Sequence, residues 1–125
     1  MQIAAIVFTA LVGVVVLFQL ALAAGAPWGE YAMGGRHPGR FPPGLRVGAV
    51  VQAAALATLA VLVLSHAALL VPELALAHGW TIWLVVGVSG LTAVLNVITP
   101  SRKERRLWAP VGVGLFATSL VVALA

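Results

Sequence analysis

Four long apolar runs, separated by three polar or Gly/Pro-rich stretches, organise the chain: Ile3 to about Ala24, Val47 to Leu70, Trp80 to Ile98, and Trp108 to Ala125. At 1.5 Å per residue a helix of about 20 residues reaches roughly 30 Å, the thickness of a bilayer's hydrocarbon core. Lipid offers the backbone no hydrogen-bond partner, so each run is expected to close its own bonds as a helix. The pattern predicts an all-α, membrane-embedded four-helix bundle, with residues 1–125 forming one domain. The first run has a signal-peptide-like Ala21-Leu22-Ala23, but it lacks a basic leader and is longer than a signal core, so it is expected to be a span.

Composition leaves few other options. Of 125 residues, 62% are hydrophobic and 8% charged, where soluble domains carry about 25% charged residues. With no cysteine, disulfides, thiolate metal sites and cysteine nucleophiles are excluded. The only acids are Glu30, Glu73 and Glu104. The net charge of +4 does not imply nucleic acid, because the bases are confined to two loops.

Arg36, Arg40 and Arg46 fall between the first two runs, and Arg102, Lys103, Arg105 and Arg106 between the last two. In a four-span chain the first and third loops share a face, and the positive-inside rule puts that face in the cytoplasm, with both termini outside. Trp28 and Trp108 then fall at the inner boundary and Trp80 and Trp83 at the outer one, as in an aromatic belt. The four bases of the third loop are also candidates for anionic lipid headgroups.

The third loop places Ser101 three residues before Glu104, a capping box that starts the fourth helix ahead of its apolar run. In the middle loop, Pro72, Glu73 and Gly79 predict a short surface helix. His66, Glu73 and His78 have no tight ligand spacing, and no metal or cofactor is expected. The first loop, Gly25 to Arg46, holds six glycines and four prolines, which rules out a regular helix. Its aromatics favour a compact fold against the bundle. Glu30 is expected to pair with an arginine there; as a site, the loop would present its arginines and backbone amides to an anion, with Glu30, Tyr31, His37 and Arg46 as candidate ligand residues and Glu30 and His37 able to exchange protons.

Counting inward from the loops puts Gln19, Gln52 and Asn96 at similar depth in the inner half of the bilayer. Amides in lipid turn toward the bundle interior. These three either bond one another across helices, fixing register, or line a polar pocket facing the first loop. Ala49, Ala53, Ala57 and Ala60, with Gly87, Gly90, Gly114 and Thr118, would let helices approach closely.

The strings PWGEYAMGGRHPGRFPPGLR and LNVITPSRKERRLWAPV resemble those of a group of small, uncharacterised four-span membrane proteins of bacteria. The resemblance covers nearly the whole chain and implies a bacterial cytoplasmic (inner) membrane, with no activity attached. The reading that needs least is a structural or accessory protein packing against itself, a partner complex or anionic lipid. An oligomeric small-solute transporter or channel lined by the amide layer is the alternative. A membrane enzyme acting on a lipid, with Glu30 and His37 as acid and base, is the second.

Overall fold

The computed structural model describes residues 1–69 and 79–125. It contains four long helices: α1 (Gln2–Ala24), α2 (Pro43–His66), α3 (Thr81–Ile98) and α4 (Arg102–Leu124). All four are long and apolar enough to cross a membrane. No strand occurs among the described residues. The surface helix expected from Pro72 and the middle-loop residues Glu73 and His78 lie outside the described residues.

The predicted bounds of α1 and α3 agree with the structure, whereas α2 is displaced toward its start. It begins at Pro43, not Val47, because a proline at the first helical turn needs no amide partner and arrives with helical φ. It ends at His66, not Leu70, because Ala68 turns left-handed at φ 62°, with Leu69 N–H bonding Leu64 O and Ala68 N–H bonding Ser65 O. Gly25 ends α1 the same way at φ 101°: its N–H reaches Leu22 O, and Ala26 N–H reaches Ala21 O. Arg46 Nε donates to Ala23 O at 2.7 Å, taking up another carbonyl that the helix end leaves open.

Helix α1 packs along α2, α3 along α4, and the two pairs meet through α1 and α4. The main core joins Ala5, Phe8 and Val12 of α1, Ala60 and Val63 of α2, Ile82 and Val85 of α3, and Leu115 and Val122 of α4. Outside it, Ile3, Leu17, Val47, Leu91 and Ile98 are each at least 60% exposed. Apolar surface on that scale suits lipid as the solvent and would be an aggregation liability in water.

Of the small residues on α2, Ala49, Ala53 and Ala60 are buried and Ala57 is exposed. Helices α3 and α4 also approach closely at Gly112, which the sequence pattern did not mark. A Cβ there would lie 3.0 Å from Ala93 Cα and 3.2 Å from Asn96 Nδ2.

Candidate functional site

The loop between α1 and α2 folds into two short 3-10 turns, Gly29–Tyr31 and Met33–Gly35, and packs on the first turns of α4. Phe41 anchors it at the other end, buried with Leu22 and Ala49. Four bonds join loop to helix. Ser101 Oγ donates to Glu30 O at 2.9 Å, Lys103 Nζ to Glu30 Oε1 at 2.9 Å, Gly34 N–H to Glu104 Oε2 at 2.8 Å, and Trp108 Nε1–H to Tyr31 O at 3.0 Å. The first and third loops therefore share one end of the bundle, as their charges predicted.

The capping box is only half made. Glu104 N–H bonds Ser101 Oγ at 3.2 Å, but the Glu104 carboxylate turns to Gly34 instead of Ser101 N–H, which finds Thr99 Oγ1 at 3.4 Å. Gly34 can present its amide this way because it sits at φ 70°, a conformation glycine adopts freely. Met33 beside it is held left-handed at φ 52°, where a side chain costs energy.

Beneath this clasp lies a cavity of about 500 Å³. Its walls come from α2 (Leu45, Gly48, Gln52, Leu56) and α3 (Thr92, Leu95, Asn96). Its floor comes from α1 (Phe18, Gln19) and α4 (Glu104, Trp108, Gly112, Leu115). Tyr31, Ala32, Met33 and Phe41 close the loop end. Gly48, Gln52 and Leu95 are exposed as well as lining it, so the cavity opens sideways between α2 and α3.

Gln19, Gln52 and Asn96, brought together from three helices, all line this cavity. Among the described residues none bonds another, so the cross-helix amide lock is not what the structure builds. No buried side-chain nitrogen or oxygen among the described residues lacks a partner; the amides instead reach open cavity space. Thr92 lines it too while bonding its own helix at Val88 O.

The other expected site residues divide. Tyr31 lines the cavity. Arg46 does not, being occupied with Ala23 O. Glu30 pairs with Lys103, not with an arginine, because the third loop delivers its lysine to the first 3-10 turn. His37 is exposed, edge-on to Phe41 at 6.2 Å between ring centroids. No hydrogen bond joins Glu30 and His37, and neither lines the cavity, so the acid–base pair is not assembled. Of the four third-loop bases, Lys103 holds Glu30 and Arg105 holds Thr99 O at 3.0 Å, while Arg102 and Arg106 are exposed. The Glu30 bond and charge raise the Lys103 pKa above its ordinary value.

Two residues carry more of the site than their sequence pattern suggested. Trp108 is buried at 7% exposure, tilted against Phe18 at 4.7 Å, so it packs inside the bundle and anchors the loop. Trp28 is the exposed member of that pair. Glu104, read from the sequence only as a cap, is 9% exposed and borders the cavity. Its place among four bases was the available signal: the structure pairs it with none of them and gives its carboxylate to Gly34 N–H.

No protein-family model matches the chain, and no curated protein or solved structure is detectably similar to it.

Proposed function

We propose that the chain is a multi-pass protein of a bacterial cytoplasmic membrane, oriented with the first and third loops inside, and that it binds a small molecule in the chamber between α2 and α3. The observation that carries this reading is the convergence of Gln19, Gln52 and Asn96 on one cavity without bonds to each other. A polar group in an apolar setting costs free energy until it is hydrogen-bonded. Three amides with no mutual bond therefore favour water or a ligand as their partner over a purely structural role. The cavity's size lies within the roughly 300 to 1,000 Å³ of small-molecule sites, and its mixture of amides with apolar walls suits a ligand with both characters.

The clasped first loop closes the cytoplasmic end, and the side opening faces the bilayer. A transporter would add movement of this loop to the same chamber, and a second copy of the chain could cover the opening. Arg102 and Arg106, with Arg36 and Arg40 of the first loop, form an exposed cationic rim for anionic headgroups.

Native mass spectrometry of the protein released from mild detergent tests the reading. The wild type is expected to retain a bound small molecule that the double variant Gln52→Leu/Asn96→Leu loses. A bare chain, or a molecule held equally by both, would contradict it.

A further inference from the structure

We propose that the chamber selects an organic cation with apolar substituents, an ammonium of the alkyl or aryl kind, and that Glu104 is its counter-charge. This rests on the chamber's being a binding site. Among the described residues Glu104 supplies the only charge in the lining, and none of the seven basic residues lines it. Lys103 is engaged with Glu30, Arg46 with Ala23 O, and Arg105 with Thr99 O. The one ion pair among the described residues is Lys103–Glu30, so Glu104 has no cationic partner.

A buried carboxylate without a counter-ion is costly. Gly34 N–H at 2.8 Å and the amino-terminal end of α4 offset part of that cost. A cation in the chamber would offset the rest.

The neighbours of Glu104 point to the kind of cation. Phe18, Tyr31, Phe41 and Trp108 line the same chamber, and aromatic faces attract a weakly hydrated ammonium through their quadrupoles. A bare metal ion would want several carboxylate, imidazole or thiolate donors, and no group of three such residues occurs among the described residues. An anion would meet the carboxylate with no compensating base. The amides of Gln19, Gln52 and Asn96 can accept from or donate to a polar substituent, and Leu45, Leu56, Leu95 and Leu115 receive an apolar one. The side opening between α2 and α3 lets such an amphiphile enter from the bilayer.

Isothermal titration calorimetry of the full chain in a neutral maltoside detergent, with three probes of similar size, tests the assignment. Benzyltrimethylammonium is expected to bind saturably, benzyl alcohol more weakly, and benzenesulfonate not at all. Glu104→Gln keeps an acceptor for Gly34 and is expected to weaken benzyltrimethylammonium about ten-fold or more, leaving benzyl alcohol unchanged. Equal binding of the alcohol and the ammonium, or an ammonium affinity indifferent to Glu104→Gln, would overturn the cation assignment and leave the chamber standing. Failure of all three probes would overturn both. Should Glu104→Gln fold poorly by circular dichroism, the wild type's ranking of the probes decides the question alone.

Discussion

Replacing Glu104 with alanine removes the α4 carboxylate that holds the first loop over the chamber. Its Oε2 accepts Gly34 N–H at 2.8 Å, and a hydrogen bond to a charged group contributes about 1.5 to 3 kcal/mol. Loop closure should therefore weaken by about 1.5 to 3 kcal/mol, which at 1.4 kcal/mol per decade is a roughly 12- to 140-fold rise in the open population. Local opening sets amide exchange, so hydrogen–deuterium exchange read by mass spectrometry on a peptide covering residues 29–36 reports it. Glu104→Ala should accelerate exchange there by that factor, with the interior of α1 unchanged. Glu104→Gln, which retains a neutral acceptor, should fall between the two, about 1 kcal/mol from wild type. Wild-type exchange in Glu104→Ala would refute the clasp; acceleration throughout α1 as well would mean that Glu104 supports the whole fold and not the loop.

Other substitutions test neighbouring parts of the account. Gly29→Ala points a methyl group at the carbonyl oxygens of His37 and Gly39; backbone atoms cannot rotate away, so thermal melts should show about 3 kcal/mol of destabilisation, the upper end of overpacking costs. Trp108→Phe loses the bond to Tyr31 O, worth about 1 kcal/mol, and should speed exchange in the same loop peptide several-fold. Lys103, on the loop-side turn of α4 ahead of its apolar run, has a pKa raised chiefly by its hydrogen bond to Glu30 and then by that residue's charge. A raised pKa means that its stabilisation is fully present below the ordinary lysine value of 10.5 and is lost as pH climbs through the folded-state value. Lys103→Met should accordingly lower the melting temperature slightly and equally from pH 7 to 9, with the difference vanishing in strong alkali; a difference that grew with pH would contradict the pairing.

The helices were legible because bilayer thickness fixes a length of apolar chain, and that length shows directly in the sequence. Their ends were less so. At α2 the hydrophobic run begins with Val47, but Pro43 starts the helix and Ala68 stops it, for reasons of backbone geometry that hydrophobicity does not register. The shared end of the first and third loops followed from where the arginines fall. The meeting of Gln19, Gln52 and Asn96 followed from counting residues along helices of opposite direction. Whether those amides bond depends on helix rotation and separation, which no count along a single helix supplies.

The fold of the first loop was illegible for a different reason. Its bonds run from backbone groups of Glu30, Tyr31 and Gly34 to side chains some seventy residues away on α4. Backbone groups look alike in every residue, so nothing in the loop's own letters names those partners. Glu104 was hidden by its agreement with a local rule: the Ser101–Glu104 spacing fits a capping box, and the structure keeps only the serine half. Trp108 was hidden likewise, since a tryptophan beside a basic loop fits the membrane boundary as well as it fits a buried anchor.

The central claim is that the amide layer faces an open, hydrated chamber and not dry packing. The chain has no cysteine, so single-cysteine variants can be made without removing any. In membrane vesicles, Gln52→Cys and Asn96→Cys should react readily with a water-soluble methanethiosulfonate, because only a hydrated thiol yields the reactive thiolate. Leu84→Cys, on the exposed apolar face of α3, should stay unmodified. Reaction at the first two positions and not the third is the result the account predicts; equal inertness at all three would contradict it.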